Sequence, residues 1–298
     1  MSLQNKADSI LICGTGALAT FFAARLSAVG LNVTMLGSWP AGIEALNARG
    51  AKLGETAYPV RAVSDPRECR GAELALVLVK AWQTERTARQ LAECLADGGV
   101  AVSLQNGLGN RETLAASLGL ECVKGAVTTL GATLLGPGHV RPGGEGVTTL
   151  EAHPALDELA AHLAASGLRV ERSAAVESLL WGKLVVNAAI NPLTALFQIP
   201  NGKLLESPPA HELMVALALE TAEVAALQGV DLPFADPVAV VDEVARRTAS
   251  NFSSMYQDVL RGAPTEIEAI NGAVARLGGE KAPINRAMWQ LVRARGSW

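Results

Sequence analysis

The chain has 298 residues, 49% of them hydrophobic and 18% charged, with a formal net charge of −4. That length accommodates two domains with sizeable cores, and the mildly acidic balance excludes a polyanion-binding surface, so no nucleic-acid partner is expected. The four cysteines and four histidines lie far apart, with no C-x-x-C and no paired-histidine spacing, which excludes a disulfide framework and a metal site from the expectation. No apolar run reaches membrane-spanning length without polar interruption, and the N-terminus carries no charged-then-apolar signal pattern. A cytoplasmic protein with reduced thiols and no membrane partner is expected, and Met1-Ser2-Leu3 reads as a cloning remnant.

In chain order, Ser9–Cys13 is an apolar run bounded by glycine and predicts a strand. Gly14-Thr15-Gly16-Ala17-Leu18-Ala19 follows directly and opens a helical pattern over Thr20–Val29. This is G-x-G-x-x-G/A in its required context. The first glycine serves a tight turn, the second lets the backbone approach a pyrophosphate, and the small third residue permits close helix–strand packing. All six residues are candidate dinucleotide contacts. A second strand is predicted at Asn32–Leu36, followed by Gly37-Ser38-Trp39-Pro40. An acid at this strand end would bind the ribose 2′-hydroxyl of NAD. Its absence favours NADP, with Ser38 donating to the 2′-phosphate and Lys80 or Arg49 as the alternatives.

Glu73–Val79 is a near-continuous apolar run, as for a strand covered on both faces. Helices are predicted over Glu85–Ala96 and Arg111–Leu118, and strands over Val100–Leu104, Val123–Thr129 and Val147–Glu151. The last two of these strands surround a glycine-rich stretch, 136–146, and read as an extension of the same sheet. Strand–helix alternation argues for an α/β fold, a Rossmann-type doubly wound parallel sheet. β signals fade near residues 168–176, and helical patterns run to the C-terminus. The domains are therefore expected at 1–172, binding the dinucleotide, and 173–298, all-helical and binding substrate.

The run 179–198 is apolar except for Lys183, Asn187, Asn191, Thr194 and Gln198. At ~100° per residue these five fall in a stripe roughly 80° wide. A solvated face would carry charged i,i+4 pairs. One lysine among amides and hydroxyls suits a pocket for a small polar ligand, with a single cation placed to do chemistry. Pro192 lies inside this run, where it removes one backbone bond and is expected to kink the helix. That would free a carbonyl near Asn187 or Asn191. Trp181 is expected in the core.

Together these segments resemble the ketopantoate reductase (2-dehydropantoate 2-reductase) family over essentially the full length. The residues that carry the resemblance are the glycine loop, VKAWQ at 79–83, QNG at 105–107 and WGKLVVNAAINPLTALFQIPNG at 181–202. NFSSMYQD at 251–258, TEIEAING at 265–272 and the proline–asparagine element at 283–285 complete it. The resemblance implies hydride transfer from NADPH to a small 2-oxo acid, ketopantoate, giving pantoate for pantothenate biosynthesis. It implies Lys183 as proton donor and Glu266 as the residue orienting it. Asn187, Asn191, Asn201, Asn251 and Ser254 are implied as substrate contacts, with Lys80 and Asn106 toward the cofactor and Asn106 also toward substrate. The family commonly has an arginine just after the second strand for the 2′-phosphate, and this chain has Ser38 there. The alternatives are a paralogous NADP-dependent reductase of another 2-oxo or β-hydroxy acid, and a nucleotide-sensing protein without catalysis. A homodimer is compatible with this reading.

Overall fold

Alternation along the first strand organises one half of the molecule. In the computed structural model, which describes residues 9–295 (so that Met1-Ser2-Leu3 lies outside the described residues), Ser9–Cys13 forms β1. Its even residues Ile10 and Ile12 point into one apolar layer with Phe21, Phe22 and Met35. Its odd residues Leu11 and Cys13 point into another with Val77, Ala88, Leu91 and Leu114. A strand with period-2 side chains that is apolar on both faces must be covered twice, and here helices cover both.

The elements that follow are α1 (Ala17–Ala28), β2 (Asn32–Leu36), α2 (Pro40–Arg49), β3 (Ala51–Leu53), β4 (Thr56–Tyr58), β5 (Arg61–Val63), β6 (Ala72–Val77), α3 (Thr84–Cys94) and β7 (Leu95–Ser103). After them come α4 (Asn110–Leu118), β8 (Val123–Thr128), β9 (Ala132–Gly136), β10 (His139–Pro142), β11 (Val147–Glu151), α5 (Asp157–Ala165) and β12 (Arg169–Ser173). The main sheet has the order β12-β11-β8-β7-β6-β1-β2-β5. From β1 the chain passes to β2 on one side and reaches β6 on the other, so the strand order reverses beside β1. In such sheets ligands bind outside the strand C-termini at this switch point. Cys13 pairs with both Leu36 and Val77, and Val77 with Ser103, so four parallel strands end at one level.

β8 and β11 extend the main sheet, as the runs at 123–129 and 147–151 predict, whereas the glycine-rich stretch between them belongs elsewhere. β9 and β10 form an antiparallel pair, and β10 joins β3 to build a separate four-stranded sheet, β4-β3-β10-β9. Cys13, Cys69 and Cys94 are buried as free thiols. Burial pushes the Cys94 thiol up to about 12, which keeps it protonated and unreactive.

Contacts divide the chain into two compact units, Met1–Gln105 with Asn110–Val176, and Asn106–Gly109 with Glu177–Trp298. The second unit is helical: α6 (Val176–Phe197), α7 (Lys203–Glu206), α8 (Pro208–Leu227), α9 (Pro237–Arg247), α10 (Ser254–Leu260), α11 (Asn271–Gly278) and α12 (Pro283–Arg295). By length and composition alone α6 could cross a membrane. It serves instead as a core helix, giving Trp181, Leu184 and Ala188 to one apolar cluster and Val185, Ile190 and Leu193 to another. Burying each of the larger side chains contributes about 2 kcal/mol relative to exposure.

α6 runs unbroken through Pro192. The proline ring cannot donate to the carbonyl four residues back, that of Ala188. This carbonyl does not face a pocket: the Asn271 side-chain amide donates to it at 3.0 Å and to Asn285 Oδ1 at 2.9 Å. Asn285 in turn donates to Glu220, whose carboxylate also accepts the backbone N–H groups of Ile284 and Asn285 at the start of α12. A buried carboxylate at a helix N-terminus is matched to the unpaired N–H groups there. The proline–asparagine element is thus part of the helical core.

Candidate active site

At the C-terminal edge of the first unit's sheet, the chain turns sharply after β1. Gly14 N–H donates to the Leu36 carbonyl (2.8 Å) and Leu78 N–H to that of Cys13 (2.9 Å), which draws the turn against both neighbouring strands. Gly14 has φ +127°, and a Cβ there would lie 3.2 Å from the Leu78 backbone. Both facts require glycine. Thr15 is buried, its side chain lying over Gly37, so it packs β1 against the β2 end and does not itself reach outward. Gly16 differs from Gly14. Its φ is −83°, and a Cβ would meet no protein atom within 4 Å.

Gly16 precedes α1, whose N-terminus has no side-chain cap and no acidic residue in its first turn. Ala17, Leu18 and Ala19 occupy that turn, so their N–H groups have no acceptor four residues back within the helix. Open space above an uncapped, twelve-residue helix start is the chemistry of a pyrophosphate cradle, and these residues fit a dinucleotide. Ser38 is exposed just past β2, and its Oγ accepts a hydrogen bond from Arg86 Nη2 at 2.7 Å. Lys80 is half-buried and precedes a short 3₁₀ turn, Ala81–Gln83. The end of β7 is tied to this turn by buried Gln105, which donates to the Val79 carbonyl (3.1 Å) and to Thr84 Oγ1 (2.7 Å), while Thr84 donates to Asn110.

In the second unit, Lys183 lies on the second turn of α6. Burial lowers its pKa to about 8, against the opposing pull of the Glu266 carboxylate, which raises it. Glu266 is buried in the turn that leads into α11, not exposed at a helix start. Asn106 Nδ2 donates to Glu266 Oε2 at 3.2 Å. Lys183, Glu266 and Asn106 are therefore gathered in one place from positions far apart in the chain. The segment bearing Asn106 is seated by its neighbour. Gly107 has φ +79°, and a Cβ there would lie 2.4 Å from the Ala269 carbonyl oxygen. Leu108 N–H donates to that same carbonyl (2.9 Å).

The rest of the stripe divides. Asn191 is buried and Asn187 half-buried on α6. Thr194 is fully buried and donates to Ser253 Oγ (2.7 Å), which itself accepts the Tyr256 N–H as the cap of α10. Ser254, the next residue, is exposed on the first turn of α10. Gln198 lies past the helix end with φ +55° and is exposed, so it leaves the stripe. Asn201 donates to Thr248 Oγ1 (2.9 Å), and its backbone N–H bonds the Asn251 carbonyl (3.0 Å). Its Oδ1 is buried and accepts no hydrogen bond from the described residues. Such an acceptor costs roughly 1–3 kcal/mol until a donor reaches it. Asn251 itself is exposed and acts here through its main chain.

Sequence reasoning missed Ser253, Gln105 and Arg86. Ser253 carried a signal, a serine three residues ahead of an N–H that needs a cap. Gln105 was within a quoted motif. Arg86 had no local signal, because its partner lies 48 residues away.

Comparisons with known proteins identify the family. Residues 10–155 match the family model "Ketopantoate reductase PanE/ApbA", and residues 175–296 match its C-terminal model. A 2-dehydropantoate 2-reductase of Archaeoglobus fulgidus is 37% identical over 97% of this chain and 98% of its own. The crystal structure of a PanE/ApbA family ketopantoate reductase from Ralstonia eutropha JMP134 superposes with a TM-score of 0.90 at 34% identity, covering 97% of this chain and 98% of that one. A D-mandelate dehydrogenase solved with NADH and anilino(oxo)acetate gives a TM-score of 0.91 at 25% identity, over 97% of this chain and 98% of that one. The chain, an oxidoreductase with a Rossmann-type α/β fold, belongs to the ketopantoate reductase family.

Proposed function

We propose that the protein reduces ketopantoate to pantoate with NADPH, with Lys183 as the proton donor. The observation that carries this reading is a lysine desolvated to a pKa of about 8 beside a buried glutamate that Asn106 holds. When bound over the glycine loop at residues 14–19, a reduced nicotinamide cofactor would supply the hydride for the carbonyl carbon. The charge that develops on the carbonyl oxygen requires a donor, and the Lys183 ammonium gives its proton there. Solvent then reprotonates the amine. Glu266 keeps the ammonium charged at neutral pH and orients it, and the Asn106 amide holds the Glu266 carboxylate in position. Asn187, Asn191 and Ser254 offer neutral donors for the substrate's polar groups. The unsatisfied Asn201 Oδ1 accepts from a substrate hydroxyl. The second reading is reduction of another 2-oxo acid, favoured by the likeness to D-mandelate dehydrogenase.

Initial rates of NADPH and NADH oxidation with ketopantoate, with an aryl 2-oxo acid and with short unbranched 2-oxo acids separate the two. The expected result is the highest kcat/KM with ketopantoate and NADPH. A higher value with the aryl acid would move the assignment to the second reading.

The pH dependence follows from the lysine. A donor with a pKa of about 8 is protonated below that value and loses its proton above it. The reductive kcat/KM is therefore flat below pH 7 and falls about tenfold for each unit above 8. Replacing Glu266 by glutamine removes the negative charge that raises this pKa, so the alkaline limb moves to lower pH. A pH–rate profile of Glu266→Gln with an unmoved limb would show that the glutamate does not act on the lysine.

A further inference from the structure

The Arg86 guanidinium donates to a neutral hydroxyl, and where it does so matters. It is exposed on α3, the helix after β6, and its partner Ser38 follows β2. β6 and β2 flank β1, about 10 Å apart across the sheet, so the arginine reaches over the dinucleotide loop to the far strand end. In a sheet of this winding the strand after the glycine loop ends at the adenosine ribose, where an acid marks NAD and an arginine marks NADP.

Three features at that point are positive or neutral. Arg86 stands in no ion pair among the described residues, whereas its neighbours Glu85 and Arg89 pair with each other at 2.7 Å. Ser38 offers a hydroxyl. The ten-residue helix α2 starts at Pro40 with no side-chain cap and no acid in its first turn, so its positive end faces the same loop. Arg49 occupies the last turn of α2, about 14 Å along the axis from that start, and is the wrong end of the helix for the task.

We infer that Arg86, delivered from α3 and aligned by Ser38, binds the 2′-phosphate of the cofactor and sets its preference for NADP. The inference rests on the NADPH reading above and assigns the residue responsible for it. The arginine missing after β2 is supplied from a different element. Ser38 holds the guanidinium and adds one hydroxyl donor of its own, so both can face a phosphate. A guanidinium presents paired donors that match two phosphate oxygens, which a lysine cannot do in the same geometry.

Calorimetric titration of the whole protein with adenosine 2′,5′-bisphosphate and with adenosine 5′-monophosphate tests this without turnover. The wild type is expected to bind the bisphosphate at least tenfold more tightly, and less so as salt is raised. Arg86→Gln should weaken the bisphosphate by roughly 10–100-fold and leave the monophosphate within twofold. Arg86→Lys should recover only part of the loss. Ser38→Asp should mimic Arg86→Gln, because the new carboxylate pairs with the guanidinium and repels phosphate. A wild type that prefers the bisphosphate, with the preference intact in Arg86→Gln, would overturn the assignment of Arg86 while sparing the NADPH reading. A wild type with no preference would overturn both.

Discussion

Lys183→Ala lowers kcat for ketopantoate reduction by about 10²–10⁴-fold, the usual contribution of a positioned general acid, and changes the Kd for NADPH by no more than a few-fold. The asymmetry is the point. Lys183 belongs to the second unit, whereas the glycine loop, Ser38 and Arg86 belong to the first. Its pKa of about 8 leaves the ammonium roughly nine-tenths protonated at pH 7 yet far readier to release a proton than an exposed lysine near 10.4. Alanine removes the donor and the methylene stem together, so Lys183→Met serves as the companion that keeps the packing. Steady-state rates with fluorescence titration of NADPH measure both quantities. Near-normal turnover in both variants would remove Lys183 from the mechanism.

The two glycines of the loop are expected to respond differently to the same substitution. Gly16→Val keeps an ordinary backbone and its Cβ meets no protein atom within 4 Å, but its side chain enters the space above the start of α1. Dinucleotide affinity should drop about 100-fold or more, ~2.7 kcal/mol, with an unchanged melting temperature. Gly14→Val forces a branched residue to φ +127° against the Leu78 backbone. The backbone alone costs about 1–3 kcal/mol, so this variant loses stability as well as binding. Circular dichroism melts beside NADPH titration separate the two effects. Normal affinity in Gly16→Val would mean that the pyrophosphate does not lie over this helix.

Long apolar runs made the sheet legible, because a strand covered on both faces has little choice of residues. Ser9–Cys13, Asn32–Leu36 and Val147–Glu151 stand in the structure as their runs predict. The three-residue strands at 51–53, 56–58 and 61–63 were not legible, since three residues carry no measurable period. The separate small sheet depends on β10 joining β3 across nearly ninety positions, which composition does not encode. The same limit applies to the site. Helical spacing put Lys183, Asn187, Asn191 and Thr194 on one face of α6, but spacing could not join Lys183 to a glutamate 83 positions later. That pairing entered through the resemblance. Arg86 was out of reach of either, because a helix-surface arginine acquires meaning only from the strand end it crosses to. Pro192 was read correctly as a lost donor, and the Asn271 amide that replaces it lies on another helix.

The placement of Asn106–Gly109 has a consequence for how the protein is made. These four residues sit between β7 and α4 in the chain, yet pack with the second unit. When residue 176 leaves the ribosome, every residue of the first unit has been synthesised. Asn106 must still wait for Glu266, 160 positions downstream of it. At bacterial-to-eukaryotic elongation rates the four-residue tooth stays without its socket for on the order of 10–30 s. A nascent chain therefore holds every residue of the glycine loop and its sheet long before the carboxylate that Asn106 holds has been synthesised.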